Sequence, residues 1–523
     1  MKFMHAVRSL PVASNRQSYR SSEIQQHLIA FIGNRDTPPD WLAQSEYSTL
    51  MTTNFFRDWA RIAILNPSLA IVEWQLPQVE GIHVCRHLAS AMPTLPIMLL
   101  APSDRVEQRI AGSPRAELMG RDRHSATMLS SLFSHPIDTV ISTLFACSIA
   151  TILGLGRKLY LALTAAPQLE APQDDMDWPS LATIVPAYNE VDNVVGCLSH
   201  ILDSTDRPLQ LYLADDGSTD TTLQLARAFA AQRQDDRLHI LSTPPRPEAE
   251  AWVGKNWACD WAARQIEADY LLFVDCDVRL QPGAIEAAVD RARQQEVGLL
   301  SVGPEIVCGC WAEWLVQPVM MAVLGAGFDY IAVNDPASEE AFGAGPFMLF
   351  RQSAYRAIGG HAAVGDRVVE DVELAKLAKR RKLGLYYSFS GGLVQSRMYR
   401  DTASLWEGWS KNLFEGLERK WRLWLVLIAA LVVIYLLPWV ALVAGLATGR
   451  LLWLGLGCIG LLCQSIPRGL LWRWGGLPPN YWWLSGLGGA IAIAILVSSA
   501  YRTSTGRGWT WRGRSLQSAS RRS

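Results

Sequence analysis

Asp275 and Asp277 stand on either side of Cys276 in the stretch LLFVDCDVRL, directly after the apolar run 271–274. Residues two apart in an extended chain project to the same side, so both carboxylates share one face at the mouth of a buried strand. Like charges that close raise each other's pKa. Acids stand at two other strand ends as well. Asn189 and Glu190 follow the stretch LATIVPAY, and Asp215 and Asp216 follow LQLYLA. One acid after a strand is commonly a helix cap, and Asp216 or Ser218 can each cap the next helix. Three acidic strand ends on one rim suit a different role. Asp275 and Asp277 are hard oxygen ligands for Mg²⁺ or Mn²⁺, an ion that keeps open positions for phosphate oxygens. Such an ion neutralises a diphosphate leaving group.

The elements that must position these acids are legible from residue 181 onward. LATIVPAYNE reads as a strand and turn, VDNVVGCLSHIL as an amphipathic helix, and LQLYLADDGSTD as a second strand. TTLQLARAFAAQ is helical, and LHILS and DYLLFVDCD are two further strands. Strands separated by helix-length segments pair in parallel and build an α/β sheet. Ligands on such sheets bind beyond the C-terminal strand ends. Further along, Glu370 and Asp371 open the helix EDVELAKLAKRRK, where the helix dipole favours a carboxylate whether or not it does chemistry.

Composition sets the frame. The chain has 523 residues, more than one core accommodates, and half of them are apolar. A formal net charge of −1 gives no sign of a nucleic-acid partner. The nine cysteines include no CxxC pair, which points to neither a zinc site nor a disulfide framework. The first thirty residues lack the apolar core of a signal peptide. The apolar excess is concentrated in 422–447, LLWLGLGCIGLLCQSI and WWLSGLGGAIAIAILVSSA, with a further candidate at 137–155. Only the first is comfortably of the length, about 20 residues, that crosses a bilayer unaided. Tryptophans near the ends of these runs suit the membrane interface. The expected protein is therefore a multi-pass membrane protein with a large soluble middle. Arg157 and Lys158 before the middle, and Arg419, Lys420 and Arg422 after it, place that middle in the cytoplasm. The tail is basic too, yet three apolar runs after Arg422 would carry it to the other side.

TIVPAYNE, DDGSTD, DCD and VVEDVELA resemble, in order, the motifs of family 2 glycosyltransferases of the GT-A fold, over about 181–412. The resemblance implies that Pro186, Tyr188, Glu190, Asp215 and Asp216 hold the nucleoside of a nucleotide-diphosphate sugar. Asp275 would lie near the ribose and Asp277 on the metal, and Lys255 would stand near the sugar nucleotide. Inverting transfer needs a base for the acceptor hydroxyl; the family's position for it is Asp371, with Glu370 as the alternative. GAGPFMLFRQSAYRAIGGH and QSRMYRDTASLWEGWSKNLFEG are similar to membrane-attached transferases acting on isoprenoid lipids, the carotenoid and hopanoid-associated enzymes. There Gly343 and Gly345 would allow close approach to a ligand, or simply form tight turns. Arg397 and Arg400 could meet phosphate charge, and Trp409 and Lys411 would lie by the acceptor. QSRMYR departs from the QxxRW of processive polysaccharide synthases, which favours addition of a single sugar. The apolar segment 311–328 reads as an interfacial helix, an acceptor wall or a core helix.

The expected organisation is a receiver-like α/β domain at 1–127, a membrane helix at 137–163, a Rossmann-like GT-A domain at 178–415, transmembrane helices at 421–500 and a basic tail at 501–523. The expected reaction moves one sugar to a membrane lipid such as a carotenoid or hopanoid. A polyprenyl-phosphate acceptor is the alternative within that class, and a non-catalytic membrane scaffold the alternative outside it. A catalytically dead transferase would have lost acids that all stand here: Asp215, Asp275, Asp277 and Asp371.

NPSLAIVEWQLPQVEGIHVCRHL followed by LPIMLLAPSDRVEQRIAG resembles a response-regulator receiver over 27–112. Its phosphoacceptor position is Glu73, the upstream acidic pair has no counterpart in HLIAFIGNRD, and the Thr/Ser position is Ala101. A single crossing at 137–155 would put this domain on the opposite side of the membrane from the catalytic one. Incubation with acetyl phosphate and Mg²⁺ is therefore expected to leave no hydroxylamine-sensitive phosphate on residues 1–127; stoichiometric labelling would show that the receiver chemistry is intact.

Overall fold

In the computed structural model, the residues described are 136–170, 177–247, 250–505 and 509–516, with four short strands nearer the N-terminus. The chain divides into two compact units, Met1–Ser131 and Leu132–Ser523. In the first, β1 (Leu28–Ile32), β2 (Ser48–Thr52), β3 (Leu69–Glu73) and β4 (Ile97–Leu100) form a parallel sheet in the order β2-β1-β3-β4. That order is the one found in doubly wound α/β sheets. Glu73 is the last residue of β3; Ala101 and the acidic-pair position of the receiver comparison lie outside the described residues.

The second unit is built on a seven-stranded sheet. Its strands are β5 (Leu181–Ala187), β6 (Gln210–Asp215), β7 (Leu238–Ser242), β8 (Tyr270–Val274), β10 (Leu299–Gly303), β12 (Phe347–Arg351) and β13 (Leu385–Phe389), in the order β13-β10-β12-β8-β5-β6-β7. The sheet is mixed rather than all parallel, because β12 runs antiparallel to both neighbours. This reversal brings the start of β12 to the rim where β5, β6 and β8 end, and the Asp275 amide donates to the Pro346 carbonyl there (3.1 Å). A three-stranded sheet of β9 (Val278–Leu280), β11 (Glu305–Ile306) and β14 (Val394–Ser396) flanks the same rim. β5, β8 and β10 are buried almost throughout, as strands covered on both faces must be.

Among the described residues, four helices are long and apolar enough to cross a membrane: Asp138–Ala165, Trp421–Thr448, Leu451–Gly475 and Trp482–Ser504. Those at Asp138–Ala165 and Leu451–Gly475 run well beyond the apolar stretches at 137–155 and 451–466. Trp421–Thr448 contains a π-turn at Val432–Leu436, followed at once by Pro438. Proline has no N–H for the carbonyl four residues earlier. Gln464 supplies the missing donor, its Nε2 reaching the Ile434 carbonyl at 2.7 Å and that of Tyr435 at 3.2 Å. Buried backbone acceptors in hydrocarbon need such partners. Gly445 and Gly457 let the second and third of these helices touch backbone to backbone, since a Cβ at either would collide with Leu454 or Leu442.

The helix Trp311–Gly327 joins the two layers. It packs with Trp409, Leu431, Tyr435, Ile495 and Leu496 in one buried cluster. Of the readings open for 311–328, it combines a core helix with a wall of the cavity described next.

Candidate active site

The strand ends enclose a cavity of about 1270 Å³ that also reaches the membrane-type helices. Pro186, Tyr188, Glu190, Asp216, Lys255, Asp275, Asp277, Gly343, Gly345, Glu370, Asp371, Trp409 and Lys411 all line it. Asp215, Arg397 and Arg400 do not.

At the end of β5, Asn189 turns the chain with a φ of 54°. Its side-chain oxygen accepts from the Thr219 amide (2.8 Å), and its own amide donates to Ser218 Oγ (3.0 Å), lacing the β5 and β6 loops together. Asp215 is buried behind this lacing, accepting from the Ser218 amide, with Oδ1 left unpartnered. Asp216 faces the cavity instead. Its carboxyl is raised by burial, against the pull of Arg514 and Arg246.

Lys255 ties the centre together. Its Nζ lies 2.7 Å from Asp275 Oδ1 and 2.7 Å from Glu370 Oε1. Burial alone would lower this lysine, but the two carboxylates hold it well above its ordinary value. Glu370 feels the reverse: burial pushes it up, and Lys255 brings it below the usual range. Glu370 is thus a paired, ionised carboxylate. Asp371, next along, points the other way. It accepts from the Gly345 amide (2.8 Å) and its neighbour's Val372 amide (2.8 Å). Burial and the Glu370 charge push it up to about 7. A Cβ on Gly345 would stand 3.0 Å from Asp371 Oδ2 and 3.2 Å from Lys255 Nζ, which accounts for glycine at that position.

Asp277 accepts from Ser396 Oγ (3.2 Å) and is raised to about 6, by burial and by Asp275. Glu190 is raised to about 7 by burial, with Asp277 and Asp275 adding to the shift. Among the described residues no group of three or more His, Cys, Asp or Glu converges at metal-binding spacing. Two hard carboxylates with surplus negative charge fit a divalent cation that draws its remaining ligands from phosphate oxygens and water.

Three residues singled out in the sequence have structural partners. Arg397 pairs with the fully buried Glu313, whose Oε2 also accepts from the Gly309 (2.7 Å) and Cys310 (2.9 Å) amides and so caps the helix Trp311–Gly327. Arg400 donates to Asn193 Oδ1 (2.7 Å) and the Asp192 carbonyl (3.0 Å). Trp409, although it lines the cavity, gives its N–H to buried Gln317 (2.8 Å). Conversely, sequence reasoning passed over Arg512 and Arg514, which line the cavity beside Glu190 and Asp216. They were indistinguishable from the other arginines of a basic tail.

Residues 182–359 match the family described as "Glycosyl transferase family 2", and the chain carries a domain of that kind. Curated relatives include the 4,4'-diaponeurosporenoate glycosyltransferases of Staphylococcus haemolyticus, 28% identical over 241 residues, and of Staphylococcus aureus (strain USA300), 28% identical over 253 residues. These alignments cover 45% and 48% of this chain and 62% and 64% of the relatives, so the chain spans less than two thirds of their length. Among solved structures, a mannosyltransferase from Pyrobaculum calidifontis in complex with GDP-Man and Mn2+ is similar at 17% identity and a TM-score of 0.41, covering 69% of this chain and 98% of that one. Glucosyl-3-phosphoglycerate synthase from Mycobacterium tuberculosis is similar at 18% identity and a TM-score of 0.32, covering 48% and 86%.

The Arg397–Glu313 pair makes a clear forecast. Arg397→Met should cost about 3 kcal/mol of stability, the lower end for breaking a buried pair because Arg397 is 32% exposed. Thermal unfolding in detergent measures this; a KM change for the donor at unaltered Tm would make Arg397 a substrate ligand instead.

Proposed function

We propose that the protein is an inverting glycosyltransferase that moves a single sugar from a nucleoside-diphosphate sugar to a membrane lipid, an isoprenoid such as a carotenoid or hopanoid. The observation that carries this reading is the continuity of the cavity. One space is lined by Asp275, Asp277 and Asp371 and also by Leu423 and Leu427 of the helix Trp421–Thr448, Leu159 of Asp138–Ala165 and Leu471 of Leu451–Gly475. An apolar acceptor can therefore lie along membrane helices while its reactive end reaches the carboxylates. The names of the curated relatives, which act on an isoprenoid acid, support the acceptor class.

In this reading Pro186, Tyr188, Glu190 and Asp216 surround the nucleoside, with Asp215 bracing the loop from behind. Asp277 and Asp275 would hold Mg²⁺ or Mn²⁺, which when bound offsets the charge of the departing diphosphate. Lys255 orients Asp275 and Glu370. Asp371, which burial and the Glu370 charge hold near neutrality against the pull of Lys255, takes the proton from the acceptor hydroxyl. Lys411 apart, the cations farther along the cavity favour a neutral acceptor over a polyprenyl phosphate. Lys376 and Lys420 are already bound to Glu418, and Arg419 to Glu415.

The same geometry suggests a membrane topology. Leu423 near the start of Trp421–Thr448 and Leu471 near the end of Leu451–Gly475 line one cavity, so these two helices go out and come back. Trp482–Ser504 is preceded by Tyr481, which packs on Trp314, and returns to bond Phe414 through Ser499. It need not cross, which leaves the tail on the cytoplasmic side with the catalytic domain. A reporter fused after Ser523 is expected to read cytoplasmic; a signal from the other face would demand a third crossing.

Asp371→Asn keeps size but cannot accept a proton, so transfer should fall by about 10²–10⁴ while donor binding persists. Because the free base is the active form and its pKa is raised to about 7, the wild-type rate should climb through neutrality as pH increases. Transfer to extracted membrane lipids, followed by mass spectrometry, tests both the acceptor and the base. An acceptor carboxylate is already ionised at neutral pH, so a flat profile with a mild Asp371→Asn effect would point to ester formation. Loss of transfer in Glu370→Gln with Asp371→Asn active would exchange the two roles.

A further inference from the structure

The hairpin of β15 (Trp509–Trp511) and β16 (Arg514–Leu516) reaches into the same cavity. Its two turn residues, Arg512 and Gly513, have φ values of 50° and 82°, as a two-residue type I′ turn requires. A left-handed arginine is uncommon, and such backbone persists only where its surroundings hold it. Those surroundings are specific. The Arg512 amide donates to Glu407 Oε2 (3.3 Å), Asn189 Nδ2 donates to the Arg512 carbonyl (3.4 Å), and the Arg512 guanidinium donates to the Asn189 carbonyl. Lys411 Nζ lies 4.2 Å from the centroid of the Trp511 ring. The hairpin is thereby stitched between the β5 loop and the helix Thr402–Gly416.

Its charges fall where the transferase sheet lacks them. Arg512 Nη2 is 2.8 Å from Glu190 Oε2 and lies close enough to Asp277 to stabilise that carboxylate's charge. Arg514 pairs with Asp216, donates to the Asp216 carbonyl (2.9 Å) and lies 3.7 Å above the Tyr188 ring. In this half of the cavity the other lining cations are Lys255, held by Asp275 and Glu370, and Lys411 against Trp511, while Arg246 stands behind the lining, 3.9 Å from Asp216. A nucleoside diphosphate adds further negative charge beside Glu190, Asp275 and Asp277.

We propose that this hairpin is a strap completing the donor site, with Arg512 a diphosphate-binding residue and Arg514 its anchor on the nucleoside pocket. This rests on the reading of the cavity as a nucleotide-sugar site. In this structure Arg512 pairs with Glu190. With donor present, its guanidinium turns to the phosphate oxygens, a geometry arginine matches bidentately, and the strap excludes water from the leaving group.

The test uses full-length protein in detergent and titrates UDP, GDP and dTDP, then the monophosphate and nucleoside of whichever diphosphate binds tightest. Arg512→Ala should weaken the diphosphate about ten- to a hundredfold, the worth of a charged hydrogen bond, and leave nucleoside affinity within about twofold. Arg512→Lys should recover part of the loss, since it keeps the charge without the fork. Equal weakening of diphosphate and nucleoside would make Arg512 merely structural and overturn the proposal. Unchanged or tighter diphosphate binding would make the hairpin a plug and overturn it as well. Wild-type protein that binds none of the three diphosphates would instead remove the nucleotide-sugar reading itself.

Discussion

One lysine carries the electrostatics of this protein. Lys255 stands between Asp275, at the mouth of β8, and Glu370, at the start of the helix Glu370–Arg380. Without it, buried Glu370 and half-buried Asp275 would face each other uncompensated, a cost that proteins relieve by protonation or displacement. With it, Glu370 is fixed in its charged form, and that fixed charge in turn raises Asp371. The pair of adjacent acids is thereby split into one structural ion and one group poised near neutrality. Perturbed values cluster at functional sites, and this split is what makes the pair a candidate acid–base site rather than two helix caps.

The membrane side obeys a different constraint. Backbone and side-chain polar groups there must find partners inside the protein. Gln464 answers the π-turn above Pro438, Ser148 Oγ donates to the Val433 carbonyl at 2.5 Å, and Gln317 receives Trp409. Glu313, wholly buried, caps the helix Trp311–Gly327 and is neutralised by Arg397. These bonds lock that helix between the sheet domain and the spans, and so hold the apolar wall of the cavity against its acidic rim. Arg397, which suggested phosphate binding in the sequence, is part of this bracing, whereas Arg400 ties its own segment to the Asp192–Asn193 turn.

The hairpin shows how chemistry can come from a distant part of the chain. Arg512 and Glu190 are far apart in sequence but 2.8 Å apart in space. The tail that looks like a topogenic charge signal also supplies positive charge to a site crowded with carboxylates.

The sequence by itself determined the features set by local pattern. Alternating strands and helices specified the α/β sheet, strand-end acids marked the rim that lines the cavity, and long apolar runs marked the helices long enough to span a membrane, because each signal depends on residues a few positions apart. Asp275, Asp277 and the Glu370–Asp371 pair were legible for that reason. Other features depend on which distant residues meet, and only the tertiary structure decided them. The antiparallel insertion of β12 depends on a pairing between 270–274 and 347–351. That Glu370 is a fixed ion and Asp371 the free acid depends on where Lys255 reaches, and the two look alike in an ED dipeptide. Arg397 and Arg400 meet Glu313 and Asn193 away from the cavity lining, and Arg512 and Arg514 meet Glu190 and Asp216 at it, because a guanidinium goes to the carboxylate or carbonyl that folding sets before it.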